Sequence, residues 1–288
     1  MTKILFVGLV VALAGCQRGT ASPEPVTTSS SEIELGALLP ADALLVGVTI
    51  APDGKRYVLD QRSGLYEIGD ASATLVVNTT GLGGIELTDV VALDSERFAL
   101  TAENDGFLFN ARTKALDSYF CYLPSPPMQP VEMTGAAGGP TAPQPTYPVS
   151  ISQTLQLAGV AVKQRTESVA FNPETRQLFA QPRTTRLDTG SVAGSELFVF
   201  GESGGQPLQV LPIAETSFVA GGMVAAPGDR LLLGAGSSLF EVTLEGRLTL
   251  LQKLDAAIDV TGMARAPSGA LWLLDGAGRR LILLDGTL

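Results

Sequence analysis

The residue types on which most enzyme chemistry depends are scarce in this sequence of 288 residues. It contains no histidine and two cysteines, Cys16 and Cys121. Without histidine, Ser-His-Asp and Cys-His catalysis, histidine metal sites and histidine proton shuttles are excluded. Two cysteines are too few for a zinc cluster. No glycine cluster reproduces a dinucleotide or phosphate-loop fingerprint. We therefore expect a protein that is not an enzyme and that carries no cofactor.

Cys16 has the surroundings of a residue that is modified with lipid. A lone cation, Lys3, precedes the apolar run Ile4–Ala14, which is the layout of a secretory signal over residues 1–15. As a helix the run would reach roughly 16 Å, whereas the hydrocarbon core of a bilayer is about 30 Å thick. It is therefore too short to span a membrane. The sequence Leu-Ala-Gly-Cys at residues 13–16 resembles the bacterial lipobox, which implies cleavage before Cys16 and acylation of its thiol.

Residues 16–31 read as the lipidated cysteine and a flexible linker, because Gln17–Ser31 is polar, holds two prolines and ends in three serines. Several acyl chains on one cysteine would anchor the protein firmly without spanning the bilayer. Gln17 follows the cysteine, and in the enterobacterial sorting pattern that this resembles, its identity favours the outer membrane over the inner one. We expect a lipid-anchored protein of the bacterial cell envelope. The alternatives are an ordinary signal with an incidental cysteine, or a short buried helix.

The charge balance excludes one class of partner. The chain has 19 basic and 29 acidic residues, a net charge of −10, and 45% of its residues are apolar. Nothing supplies the lysines and arginines that neutralise phosphates, so no nucleic-acid partner is expected. The apolar content also argues against disorder for the chain as a whole. The partners that remain are a membrane, reached through the lipid anchor, and a protein or small-molecule ligand of unknown identity.

Residues 32–288 contain a repeat of short strands and predict an all-β fold. The first strands of the repeats are Gly47–Ile50, Asp89–Ala92, Ser168–Phe171, Gly222–Ala225 and Gly262–Arg265. Each is followed by a tight turn and by further short strands rich in β-formers. Four short strands in about forty residues are the pattern of a β-propeller blade. The last repeat lacks a fourth strand, and Glu32–Leu39 could supply it and close the ring.

The number of blades follows from the spacing of the turns. They begin at residues 52, 94, 173, 227 and 267, so the intervals are 42, 79, 54 and 40 residues. The interval of 79 covers about two periods. It contains a Pro/Gly-rich insertion at about residues 124–148, followed by two further strands in Val149–Lys163. The spacing favours six blades and leaves open five blades with one long insertion.

The repeat resembles the six-bladed propellers of the NHL and SMP-30/gluconolactonase-like group, through pieces such as Val48–Gly54 and Ser168–Pro173. Lactonases of the SMP-30 type hold a divalent metal in the central channel with a glutamate, two asparagines and an aspartate from the inner strands. At the starts of the predicted inner strands, Asp89 and Glu167 are the only carboxylates, and no asparagine matches. The resemblance thus implies at most a weak metal site at Asp89 and Glu167. The alternative is that both accept hydrogen bonds from strand ends or face solvent.

These observations predict a membrane-anchored envelope lipoprotein whose non-catalytic propeller is a binding or scaffold module. Two alternatives remain. One is a metal-dependent hydrolase or lactonase of the SMP-30 type that uses Glu167 and Asp89. The other is a structural subunit of an envelope assembly that docks through the insertion at residues 124–148.

Overall fold

A computed structural model describes residues 31–79, 85–102, 105–121, 155–157, 160–190, 192–213 and 220–284. The expected signal (1–15), Cys16, the linker up to residue 30 and the insertion at about 124–148 lie outside the described residues. The described residues form β-strands and turns and contain no α-helix. Accordingly, no apolar helix suited to crossing a bilayer occurs among them.

The strands, numbered in chain order, form five separate antiparallel sheets. The first strand is β1 (Glu32–Glu34). Blade one consists of β2 (Leu45–Ile50), β3 (Arg56–Asp60), β4 (Gly64–Ile68) and β5 (Ala73–Asn78). Blade two consists of β6 (Asp89–Ala92), β7 (Arg97–Thr101), β8 (Asp105–Asn110) and β9 (Leu116–Cys121). Both sheets follow chain order, so every connection within a blade joins neighbouring antiparallel strands.

The remaining three sheets complete the ring. Blade three consists of β10 (Leu155–Leu157), β11 (Val160–Asn172), β12 (Gln177–Arg186), β13 (Val192–Gly201) and β14 (Gln209–Pro212). Blade four consists of β15 (Gly222–Ala226), β16 (Arg230–Ala235), β17 (Ser238–Thr243) and β18 (Leu248–Lys253). Blade five consists of β19 (Val260–Arg265), β20 (Leu271–Asp275), β21 (Arg280–Leu284) and, on its outer edge, β1.

Each pair of neighbouring blades encloses its own apolar cluster, so the core is a ring of five inter-blade layers. Between blades one and two, the rings of Tyr57 and Phe98 meet edge to face with centroids 4.7 Å apart. Between blades two and three, the Phe120 and Phe200 centroids lie 4.5 Å apart. The cluster between blades five and one, which includes Val48 of β2, shows that the last blade packs on the first. The all-β propeller that the repeat predicts is therefore present and closed.

Closure takes the form that the missing fourth strand predicts. β1 pairs antiparallel with β21, with Glu32 opposite Ile282 and Glu34 opposite Arg280. The segment after β1 is tied down as well: Leu35 is fully buried, and the Arg279 guanidinium donates to the carbonyl oxygens of Pro40 (2.6 Å) and Ala41 (2.8 Å). The first and last parts of the described chain are thus held in one sheet, and blade five gains its fourth strand.

The described residues form five blades, the alternative that the turn spacing leaves open beside six. The strands that could have begun a sixth blade join blade three instead, because β10 pairs with the first residues of β11. β11 contains 13 residues, and β12 and β13 contain 10 each. The other strands have at most six. Blade three therefore extends beyond the other blades on one side of the ring. We call this extension, residues 155–157, 160–166 and 182–186, the blade-three arm.

Candidate functional site

The central channel is lined by the five inner strands, β2, β6, β11, β15 and β19, which contact one another around the ring. They all run in the same direction, since each is the first strand of its blade and leads into a tight turn. We call the side where they begin the start face and the side of these turns the turn face. The blade-three arm lies on the start face, because it contains the first residues of β11.

Alternate residues of each inner strand bond to the second strand of the blade, and this alternation decides which main-chain groups face the channel. Ala51 donates to the Lys55 carbonyl at 2.9 Å and Ala266 donates to the Ala270 carbonyl at 2.8 Å, so these residues pair with the second strand of their blade. In an antiparallel ladder the preceding residue then directs its N–H and C=O to the other side. For an inner strand that side is the channel axis. Ile50 and Arg265 therefore present main-chain groups to the channel.

Glycine narrows the channel near the start face. Gly47, Gly222 and Gly262 occupy equivalent positions in their inner strands. A Cβ on Gly222 would lie 2.5 Å from the main chain of Gly262 in the next blade, and a Cβ on Gly262 would lie 2.9 Å from the Val48 nitrogen. A side chain at these positions has no room because neighbouring inner strands approach so closely. The channel is therefore narrow at this level, and we call the level of Gly47, Gly222 and Gly262 the pinch.

Asp89 occupies the same repeat position in blade two, and its carboxylate lies within the pinch. Its Oδ1 accepts the N–H of Val90 and its Oδ2 accepts the N–H of Val169 in blade three, both at 2.8 Å. The side chain is buried. Burial raises the pKa of Asp89 well above its ordinary value, the two main-chain donors lower it, and the charge of Glu167 raises it further. The carboxylate thus joins two blades through their main chains.

Glu167 is the extra residue of a β-bulge, since Thr166 pairs with Pro182 and Ser168 pairs with Gln181. A bulge re-aims a side chain away from the regular ladder. Here the Glu167 carboxylate lies 4.0 Å from both Arg165 and Arg183 at the base of the blade-three arm. Its pKa is raised by burial, and the two arginines counteract this. Asp89 and Glu167 are therefore brought close enough to interact.

The donor set at Asp89 and Glu167 does not fit a divalent metal. Calcium and similar hard cations take six to eight oxygen ligands. Both Asp89 oxygens already accept main-chain N–H groups, and Glu167 faces two cations. At the equivalent positions of the other blades, Gly47, Gly222 and Gly262 bring no side-chain oxygen, and Ser168 brings a single buried hydroxyl. Within the part of the chain that the structure describes, no group of three potential ligands clusters.

The turn face holds a cavity of about 470 Å³ at the opposite end of the channel. Its walls are the last residues of all five inner strands, among them Ile50, Ala92, Phe171, Ala225 and Arg265. Its mouth is ringed by the prolines of the tight turns, Pro52, Pro173, Pro227 and Pro267. Proline has no N–H, so this rim offers few donors and much apolar surface. A concave, largely apolar site with a few polar groups is the usual form of a ligand pocket.

The sequence carries one signal of this cavity, which its repeat pattern alone does not reveal. Five residues occupy equivalent repeat positions, each one residue before the last that pairs with the second strand of its blade: Ile50, Ala92, Phe171, Ala225 and Arg265. An arginine in an otherwise apolar repeat position is a recognisable exception. The lipidation candidate Cys16 lies outside the described residues, so the structure does not place it.

Comparisons with known proteins give the fold and nothing finer. No family model matches the chain, and no curated protein matches it by sequence. A gluconolactonase from Xanthomonas campestris is similar in structure, with a TM-score of 0.51 and 12% identity over 85% of this chain and 73% of that one. A putative oxidoreductase (glucose dehydrogenase) from Thermus thermophilus gives 0.46 and 13% over 88% and 99%. A virginiamycin B lyase from Staphylococcus aureus gives 0.38 and 11% over 85% and 67%.

At such low identity, likeness to a solved structure shows architecture alone. The gluconolactonase match agrees with the ring of four-stranded blades described above. The conclusion that these findings carry is that the described chain is a β-propeller.

Proposed function

We propose that this protein is an envelope lipoprotein whose propeller is a non-catalytic binding module, with the turn-face cavity as its ligand site. The observation that carries the proposal is the cavity itself: it is open to solvent, lined by all five blades and largely apolar. The Asp89 carboxylate has a structural role, since it accepts N–H groups from two inner strands. Binding is therefore the activity that this geometry supports best.

The anchor in this proposal is an acylated Cys16. The carbonyl of Ser31 accepts the N–H of Leu283 at 3.0 Å, and Leu283 pairs through Trp272 with Ala264 in the cavity wall. β1 runs away from the turn face, because it is antiparallel to β21. The chain therefore enters blade five from the side of the cavity. A linker of about fifteen residues spans at most roughly 50 Å, so the anchor would keep the propeller within that distance of the membrane.

The cavity is tested with a neutral apolar dye, Nile red, and the full chain carrying Cys16→Ser. We expect the dye fluorescence to rise on binding and the rise to be lost in the double variant Ala92→Phe/Ala225→Phe. Phenylalanine is tolerated at this repeat position, since Phe171 occupies it in blade three. The control is Leu208→Phe, just before β14, where the residue is 69% exposed. Equal fluorescence with all three proteins would contradict a ligand site here.

The lactonase alternative is tested on the same protein. Calcium and zinc are measured after purification, together with hydrolysis of glucono-δ-lactone. The proposal predicts neither a stoichiometric metal nor lactone turnover above background. A stoichiometric metal that is lost in Glu167→Gln, with turnover lost in parallel, would replace the binding module by an enzyme.

The anchor is tested in a bacterial host with radiolabelled palmitate. We expect label on the wild-type chain, none on Cys16→Ser, and release of that variant from the membrane fraction. Wild-type protein that carries no label would refute the anchor and leave the cavity proposal standing.

A further inference from the structure

The inner strands are five strand edges that face one another across the turn-face cavity. The cavity is lined by Ile50, Phe171 and Ala225. The alternating hydrogen bonds of each strand pair leave the N–H and C=O groups of these residues pointing to the channel axis. The Ala92 N–H shows how such a group is satisfied, because it donates to the Thr49 hydroxyl of the neighbouring blade at 2.8 Å. Alternating donors and acceptors along a strand edge are the groups that an added peptide strand pairs with.

The main-chain groups of the strand edges favour an apolar peptide over a hydrocarbon. A hydrocarbon in the cavity would remove water from the main-chain groups without replacing its hydrogen bonds, which is costly. An extended peptide would bring amides that pair with the same edges and apolar side chains that contact the partly exposed Ile50 and Phe171.

Arg265 adds a charge preference. Arg265 lines the cavity and is partly exposed, and among the described residues its guanidinium donates to the Gly269 carbonyl at 3.4 Å, a long contact. Other arginines are paired with carboxylates at short range: Arg230 with Glu241 at 2.6 Å and Arg280 with Asp275 at 3.0 Å. Glu174 lies at the solvent-exposed rim of the cavity. An arginine that lines an apolar cavity and has no carboxylate partner among the described residues favours a ligand that carries a carboxylate.

We infer that the cavity binds the apolar carboxyl-terminal segment of an extended peptide, whose main chain pairs with the inner-strand edges and whose terminal carboxylate pairs with Arg265. The inference rests on the proposed binding function and names its ligand class. The wall from Met263 to Pro267 is four residue steps long, which at about 3.3 Å per residue is roughly 13 Å. A segment of about four residues therefore fits.

The probe is an acetylated tetrapeptide of alternating alanine and valine with a free carboxylate, titrated into the full chain carrying Cys16→Ser. Two matched ligands are used: the same peptide with an amidated terminus, and an analogue in which one internal amide is an ester. We expect the free acid to bind about tenfold more tightly than either. In Arg265→Gln the advantage over the amidated peptide disappears, whereas the advantage over the ester analogue remains.

Amide NMR gives a second readout, because the ladder predicts an alternation. Binding should shift the amides of Ile50, Phe171 and Ala225 and protect them from exchange, while those of Thr49 and Val224 change little. The Ala92→Phe/Ala225→Phe variant should bind at least tenfold more weakly. Its near-wild-type unfolding midpoint would show that the loss is not a folding defect.

Equal affinity for the acid, amide and ester forms would overturn the inference. Nile red binding without peptide binding would also overturn it and would leave the proposed function intact, whereas failure of both ligands would remove both. A further arm places the tetrapeptide at the end of a carrier protein. If the carrier-attached and the free tetrapeptide bind with equal affinity, the ligand is the tail of a protein. If only the free tetrapeptide binds, the ligand is a short peptide. Either result supports the ligand chemistry.

Discussion

Gly47→Ala probes the pinch of the channel, because the added methyl group would overlap Asp89 Oδ1 and lie 3.1 Å from the Val90 nitrogen. The Gly47 main chain is not in the left-handed region, so the cost is steric rather than conformational. To make room, the Asp89 carboxylate must leave the N–H groups of Val90 and Val169, which it accepts at 2.8 Å each. A hydrogen bond to a charged group contributes about 1.5–3 kcal/mol. We expect a loss of about 3 kcal/mol in the free energy of unfolding.

For a chain of this size, 1 kcal/mol corresponds to roughly 2–4 °C in the unfolding midpoint. Gly47→Ala should therefore lower the midpoint by about 6–12 °C, measured by circular dichroism alongside urea titration. Gly36→Ala is the matched control, since the atom nearest its added Cβ is Arg279 Nε at 3.8 Å. Its effect should stay within about 0.5 kcal/mol.

The cause is isolated by a double-mutant cycle with Asp89→Gly, which restores the residue found at three equivalent positions. If the clash with the carboxylate dominates, Gly47→Ala should cost about 1 kcal/mol or less in the Asp89→Gly background, since the contacts that remain, with the Val90 nitrogen (3.1 Å) and the Cα of residue 89 (3.2 Å), need only a small shift. Non-additivity of about 2 kcal/mol is then expected. Additive effects within about 0.5 kcal/mol would refute the account of Asp89 as the filler of the pinch.

Three further predictions concern other parts of the ring. Arg279→Lys should destabilise the fold by about 1–3 kcal/mol in urea titration, because an ammonium cannot reach the several carbonyls of residues 39–43 that the guanidinium spans; an unchanged midpoint would contradict this. Burial raises the pKa of Glu167 above its unfolded value of about 4, so its contribution is complete below that pH and is lost as the pH rises through the folded pKa. Between pH 4 and 8 the free energy of unfolding should therefore decrease less steeply with pH in Glu167→Gln than in the wild type. Parallel curves for the two proteins would argue against the raised pKa. Gly106→Ala should cost more than about 2 kcal/mol, because its Cβ would overlap the Phe120 ring between blades two and three; a variant of normal stability would show that this layer can yield.

The strands and their turns could be predicted from the sequence because they depend on neighbouring residues. β-Formers such as those of Leu45–Ile50 and turn residues such as Pro52–Gly54 act over a few positions. The missing fourth strand of blade five also indicated closure by the segment that begins at Glu32, and β1 confirms it. Anchoring through Cys16 stays a prediction, since the described residues do not include it.

Blade number, the pinch and the cavity depended on the tertiary structure. Five rather than six blades result from pairing of β10 with β11, and no local rule states whether two strands open a new blade or extend an old one. Asp89 read from the sequence as a possible ligand, yet its oxygens are taken by main-chain groups, one of them on Val169, 80 residues away. Such contacts arise only when the ring closes and sets the distance between inner strands. The sequence alone therefore determined the repeating unit, whereas closure of the ring determined which side chains meet at the axis and where a cavity remains.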